Sequence, residues 1–339
     1  MPQTSPITYN IVTPAPHSLY ECRTAEQFRS AFEVATGCSV EQVANHLIDP
    51  LAPKAVFLVG SLPLGMGTSG SDIDLIVLID SRTALVSTDQ HAANSNQHLE
   101  FSSDTNTLLP ATSMSLKKGI LVEVQAALTP TIHDVYCRLK HRGPELSEVE
   151  IRTLGRLSTG WLLWETEGYL SRSGIDLRDP SLAVYCSTRS FVSALLQRSK
   201  AGRALERQDI PLALHHGRLS VEDTYLAYFA SEGLPHLGSK WLAQIGHAHE
   251  AAQRISRHPL LIQGMHLLFP VLSTSVAETA QYLRHASDFV QAMQSLIEQR
   301  VRFRIAYAAC PQIASAQYSS PGTGAVSSTL PTETLATHC

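Results

Sequence analysis

Two aspartates separated by one residue are the side chains in this sequence best suited to catalysis. Asp72 and Asp74 follow a glycine-rich segment and precede the apolar residues 75–79. Because alternate residues of a β-strand point to the same face, both carboxylates would project together, roughly 7 Å apart along the backbone. Two such carboxylates repel each other unless a cation lies between them. All-oxygen ligands are typical of Mg²⁺ or Mn²⁺, so the spacing predicts a site for one or two dications.

The glycine-rich segment before these aspartates has the features of a phosphate-binding turn. Gly60 and Ser61 follow the apolar residues 55–59, and three more glycines precede Asp72. Glycine allows backbone N–H groups to approach an anion closely and to surround it. A phosphate-binding turn beside metal-binding carboxylates is the combination that phosphoryl and nucleotidyl transfer require.

Other interpretations fit parts of the same segment. The spacing of Gly65, Gly67 and Gly70 matches a dinucleotide-binding fingerprint, but that fingerprint must open a helix, and here a strand with two carboxylates follows. A P-loop needs a lysine before its Ser or Thr, and Gly70-Ser71 has none. The alternative without a function is a glycine-rich hairpin with two solvated aspartates.

The motif consists of Gly60-Ser61, Gly65 and Ser71-Asp72-Ile73-Asp74-Leu75. It resembles the signature of the DNA polymerase beta-type nucleotidyltransferase superfamily, which includes CCA-adding enzymes, poly(A) polymerases and aminoglycoside nucleotidyltransferases. The resemblance implies that Ser61 holds a nucleoside triphosphate, with Gly60 and Ser71 in the same nucleotide-binding turn. It also implies that Asp72 and Asp74 hold two metal ions and that a third carboxylate lies on a neighbouring strand.

Glu123 is the candidate for this third carboxylate. It lies in the alternating segment 118–126, between two valines, where a carboxylate is costly unless a cation pairs with it. Glu100, between Leu99 and Phe101, is the rival. For either residue, the alternative is an edge strand with an exposed polar face.

Lys240 is a further candidate, and it depends on the resemblance alone. The superfamily often places a lysine of its helical domain on the outer phosphates of the nucleotide, and Lys240 lies near the start of a predicted helix. The alternative is a solvent-exposed helix lysine.

Periodicity predicts an α+β protein: an N-terminal nucleotidyltransferase domain with a mixed β-sheet flanked by helices, followed by a C-terminal helical bundle. The predicted parts are an irregular arm (1–18), a catalytic domain (19–143), a helical domain (144–310) and a disordered tail (311–339). The predicted strands are 55–59, 73–79, 97–101, 108–114 and 118–126. The predicted helices are 24–37, 39–47, 147–165, 181–199, 202–209, 220–232, 238–256 and 274–307.

Charge and cysteine content limit the classes of substrate and the cell compartment that are expected for this protein. The net charge of −4 is not that of a nonspecific nucleic-acid binder, which disfavours a long polynucleotide as substrate. The six cysteines have no zinc-ligand or disulfide spacing, and no signal peptide or membrane span is predicted, so a cytoplasmic location is expected.

Together these features predict a nucleotidyltransferase that uses Mg²⁺ or Mn²⁺ and an NTP, ATP being the first choice, to modify a small-molecule acceptor. Two alternatives stay open. One is an enzyme that modifies RNA ends or proteins. The other is a nucleotide-binding regulator or antitoxin without turnover.

Overall fold

A computed structural model shows an α+β architecture with a five-stranded mixed sheet and a helical second half. This confirms the predicted fold class. The structure describes residues 19, 21–43, 53–68, 71–80, 112–115, 120–141, 146–235, 242, 258–269 and 275–309. The predicted arm (1–18), tail (311–339) and strand 97–101 lie outside these residues, as does the predicted helix 238–256 apart from Leu242.

The strands are β1 (Ala55–Val59), β2 (Ile73–Ile79), β3 (Thr112–Ser115), β4 (Leu121–Leu128) and β5 (Trp161–Glu165). They lie in the order β3-β4-β2-β1-β5, with β2 and β4 parallel and all other neighbours antiparallel. All of β1 and all of β2 except Asp74 are buried, as expected for central strands covered on both faces.

Helix α1 (Ala25–Thr36) covers one face of the sheet. Thr24 caps its N-terminus by accepting a hydrogen bond from the Gln27 N–H, and Gly37 (φ +73°) ends it in the left-handed conformation. Phe28 and Phe32 of α1 are fully buried against the sheet. The predicted helix and its two ends are therefore confirmed.

The opposite face is covered by α2 (Thr129–Lys140) and α3 (Glu148–Thr159). Ser147 forms a capping box at the start of α3, and the buried stripe Ile151, Leu154 and Leu157 faces the sheet. This helix thereby lies over the part of the sheet where β1 and β2 meet.

The second half of the chain is helical. Its helices are α4 (Tyr169–Ser173), α5 (Ser181–Glu206), α6 (Ile210–Ser231), α7 (Pro259–Gly264) and α8 (Val276–Ala309), with a 3-10 turn at Met265–Leu268. The short connection between α5 and α6 makes them an antiparallel hairpin, against which α8 packs. None of the described helices is long and apolar enough to cross a membrane.

One helix prediction was wrong at its C-terminal end. The helix predicted over 147–165 ends at Thr159, and Trp161–Glu165 forms β5, which pairs with β1. The apolar run fits either structure locally, but the open edge of β1 offers backbone hydrogen bonds that only a strand can complete. A strand of the sheet thus comes from beyond residue 143, where the catalytic domain was predicted to end.

The bounds of three other predicted helices were also wrong. In place of separate helices over 181–199 and 202–209, the structure has the single helix α5, which continues through Gly202 and ends at Glu206. The next helix starts at Ile210 rather than at residue 220, because Asp209 caps it and Pro211 occupies its first turn. Helix α2 was not predicted, although Pro130 at its start is a typical signal.

Candidate functional site

The glycine-rich segment forms a tight turn directly after β1. Gly60 has a φ of +81° and Gly65 a φ of +68°, which is the left-handed region that favours glycine. The Met66 N–H donates to the Ser61 carbonyl at 2.9 Å, and the Gly65 N–H donates to the Leu62 carbonyl at 3.0 Å. This is the hydrogen-bond pattern of a Schellman motif. The turn therefore has a defined shape, with Ser61 buried at its start.

Apolar side chains of this turn pack into the helical half. Met66 is buried in a cluster that includes Tyr225 of α6 and Phe289 of α8, and Leu64 packs against the same cluster. The predicted phosphate-binding turn is thus fixed at one end to the sheet and at the other to the helices.

Gly60 lies directly against the carboxylate of Asp74. Val59 and Asp74 are register partners on the antiparallel strands β1 and β2. A Cβ atom placed on Gly60 would lie 2.1 Å from Asp74 Oδ2, closer than real atoms approach each other. A side chain at residue 60 would be strained at this φ and would displace the Asp74 carboxylate, so the end of the turn and the aspartate form one site.

Glu123 lies beside Asp74 on the neighbouring strand. The two residues are register partners in the parallel pair β2 and β4, so their side chains share one face of the sheet. Asp72 immediately precedes β2 and is exposed. The fold thereby brings Gly60, Asp74 and Glu123 together and places Asp72 in solvent just before the start of β2.

Sequence reasoning missed two polar residues of this site. Arg156, in the last turn of α3, has its Nη2 3.5 Å from Asp74 Oδ1. Its Nη1 donates to Gln125 Oε1 at 3.0 Å, and Gln125 Nε2 donates to Glu123 Oε1 at 3.1 Å. No local motif marks Arg156. Gln125 carried a signal, because it lies two residues after Glu123 on the same strand face.

Ser71, near the end of the glycine-rich segment, forms two hydrogen bonds with Thr68. Its hydroxyl accepts a hydrogen bond from the Thr68 N–H at 2.9 Å, and its own N–H donates to the Thr68 carbonyl at 2.8 Å. The other two candidates, Lys240 and the rival carboxylate Glu100, lie outside the described residues.

The donor set matches the chemistry of a hard dication only in part. Asp72, Asp74 and Glu123 offer the carboxylate oxygens that Mg²⁺ and Mn²⁺ prefer. Across the described residues, however, no three acidic, histidine or cysteine side chains form a group that can hold a metal ion. Arg156 supplies positive charge beside Asp74 instead.

Comparisons with known proteins give little further information. No family model and no curated protein sequence matches this chain. Among solved structures, the chain is similar to a nucleotidyltransferase-like protein from Exiguobacterium sibiricum, with 13% identity and a TM-score of 0.41. The similarity covers 81% of this chain and 79% of that one. Values this low do not establish a shared function.

Proposed function

We propose that this protein is a metal-dependent nucleotidyltransferase that moves a nucleoside monophosphate, AMP from ATP in the first instance, to a small-molecule acceptor. The observation that carries the proposal is the contact between the Gly60 turn and Asp74, with Glu123 in register beside it. A turn suited to phosphates and a pair of oxygen ligands meet at one point, as nucleotidyl transfer requires.

In the proposed reaction, an acceptor oxygen attacks the α-phosphorus of the NTP, and the bond from that phosphorus to the pyrophosphate oxygen breaks. Asp72, Asp74 and Glu123 would have to close around Mg²⁺ or Mn²⁺, because in the described residues they do not already form a metal-holding group. The ion, when bound, would neutralise charge at the phosphates. Glu123 also takes the proton of the acceptor hydroxyl.

The nucleotide is positioned by the turn in this proposal. Gly60, Ser61 and Ser71 orient the triphosphate through backbone and hydroxyl donors, and Lys240 contacts its outer phosphates. The mild net charge of −4 favours a small acceptor over a long polynucleotide.

The position of Arg156 favours a second candidate function. Its guanidinium, 3.5 Å from Asp74, neutralises part of the acidic charge that a dication would otherwise balance. A nucleotide-binding regulator without turnover would have such a site.

The test is pyrophosphate release from each NTP with Mg²⁺, measured without acceptor, with a panel of small hydroxylated and aminated acceptors, and with tRNA. We expect turnover only with a small acceptor, and its loss in Asp74→Asn and Asp72→Asn. The matched control is Asp80→Asn, which removes an exposed carboxylate that follows the other end of β2.

Binding of NTP without pyrophosphate release under all conditions would favour the regulator. Activity in Asp74→Asn equal to that of the unmodified protein would refute the proposed site. Thermal melts of each variant, compared with the Asp80→Asn control, separate loss of chemistry from loss of folding.

A further inference from the structure

Arg156 forms an ion pair with Asp74 of the proposed site. Its side chain is 23% exposed and that of Asp74 is 22% exposed, so the pair is largely withdrawn from water. Because water screens these two charges only weakly, they interact more strongly than an ion pair on the protein surface does.

The contacts of Arg156 link it to two carboxylates of the site, Asp74 and Glu123. One side of the guanidinium faces Asp74, with 3.5 Å between Nη2 and Oδ1. The other side donates to Gln125, whose amide in turn donates to Glu123. Arg156 therefore contacts one carboxylate directly and orients the other through one intermediate side chain.

The fold holds Arg156 in this position by close backbone packing. A Cβ atom on Gly160 would lie 2.7 Å from the Leu58 carbonyl oxygen and 2.9 Å from that of Arg156. The end of α3 thus rests against the end of β1. The strand that follows, β5, pairs with β1 and fixes the same junction.

We propose that Arg156 is a positioning residue that assembles the acidic pair before a dication enters. It neutralises Asp74 and, through Gln125, aims the carboxylate of Glu123. Two carboxylates at neighbouring register positions repel each other, and the guanidinium offsets this repulsion while the metal is absent. The inference rests on the proposed function, because it treats Asp74 and Glu123 as metal ligands.

A consequence is that Arg156 weakens the binding of a dication at this site. A positive charge so close to Asp74 lowers the affinity of the site for a second cation. A lysine would keep the charge but not the planar fork that contacts Asp74 and Gln125 together. Substitution of Arg156 by lysine therefore separates the effect of its positive charge from the effect of its two simultaneous contacts.

The first experiment is a double-mutant cycle on the unfolding equilibrium in the presence of a chelator, using Arg156→Met, Asp74→Asn and the double variant. We expect Arg156→Met alone to lower the folding equilibrium constant roughly tenfold or more, because it removes the guanidinium from beside a largely buried carboxylate. The double variant should be less destabilised than the sum of the two single variants. Additive effects would overturn the inference.

The second experiment measures Mn²⁺ binding by electron paramagnetic resonance on the full chain. We expect Arg156→Met to bind Mn²⁺ about tenfold more tightly than the unmodified protein, and Arg156→Lys to bind it about equally. A purely structural arginine would not raise metal affinity when removed. Unchanged or weaker Mn²⁺ binding in Arg156→Met would also overturn the inference.

Arg152→Met is the matched control. Arg152 lies on the same helix one turn earlier, is exposed, and forms no ion pair within the described part of the chain. It should leave both measurements unchanged. If Mn²⁺ binds to neither the unmodified protein nor Arg156→Met, the proposed metal function and the metal part of this inference both fail. The double-mutant cycle then shows whether the ion pair still assembles the site.

Discussion

Asp74 at the sheet and Asp223 in the helical half are both partly buried, but they have different partners. Asp74 lies beside the guanidinium of Arg156. Asp223, on α6, accepts a hydrogen bond at 2.7 Å from the hydroxyl of Ser193 on α5. A cation keeps a carboxylate charged, whereas a neutral donor offsets only part of the cost of burial.

The consequence is visible at Asp223. Burial raises the pKa of its carboxyl to about 6; the hydrogen bond from Ser193 opposes this shift, and the nearby charge of Glu222 adds to it. The protein thus places a cation beside Asp74, where the proposed function requires a charged carboxylate, and a neutral hydroxyl beside Asp223. In the helical hairpin, the carboxyl of Asp223 keeps its proton to a higher pH than an ordinary aspartate does.

The largest expected effect tests whether the proposed reaction requires the negative charge of Glu123. Glu123→Gln keeps the shape of the side chain but removes its charge, so we expect the proposed transfer to slow about 100-fold or more. The measurement is the steady-state rate of pyrophosphate release. Glu100→Gln is the matched variant and should change the rate only a few-fold. The opposite ranking would assign the third carboxylate to Glu100.

The next effect tests the contact that places Asp74. Gly60→Ala should destabilise the protein by about 2–4 kcal/mol, because alanine is strained at a φ of +81° and its Cβ overlaps the Asp74 carboxylate. Urea unfolding measures this change. Gly202→Ala is the control, because its Cβ meets no atom within 4 Å in an exposed part of α5, and it should be stabilising or neutral. Similar stabilities for the two variants would contradict the proposed contact.

A smaller effect concerns the pH dependence of stability at Asp223. With a folded pKa near 6 and an ordinary value of 3.8, the unfolded chain loses this proton first as pH rises. The stabilising contribution of the protonated carboxyl is thus present below about pH 4 and is lost as pH rises through 6.

The asparagine of Asp223→Asn cannot ionise, so this variant should not lose stability at this position as pH rises. We expect the variant to gain about 1–3 kcal/mol relative to the unmodified protein between pH 4 and pH 7. Urea unfolding across this pH range measures the difference. Parallel stability curves for the two proteins would show that folding does not raise the pKa of Asp223, which would contradict the effect of burial described above.

The smallest expected effect tests how the Ser193 hydroxyl influences the Asp223 carboxyl. Ser193→Ala removes the 2.7 Å hydrogen bond, which favours the charged carboxylate, so the pKa of Asp223 should rise further. The stability at pH 7 should fall by about 1 kcal/mol. Titration of the Asp223 carboxyl by NMR measures whether its pKa rises in Ser193→Ala. An unchanged pKa would show that the Ser193 hydroxyl does not influence this carboxyl.

The two central strands and the first helix could be predicted from the sequence. Strands 55–59 and 73–79 were predicted with the bounds that the structure shows, because the apolar runs 55–59 and 75–79 on either side of the glycine-rich segment leave little choice. The helix after Thr24 was equally clear from its caps. The strand Trp161–Glu165 was not, because its apolar residues fit a helix until the edge of β1 is available as a partner.

The sequence by itself determined the spacing of Asp72 and Asp74, the glycine turn before them and the two central strands, since each depends on residues a few positions apart. Only the tertiary structure decided that Glu123 lies beside Asp74, and that Arg156 contacts Asp74 directly and Glu123 through Gln125. Strand register and helix placement depend on packing between distant segments, and no short window of sequence encodes the energy of that packing.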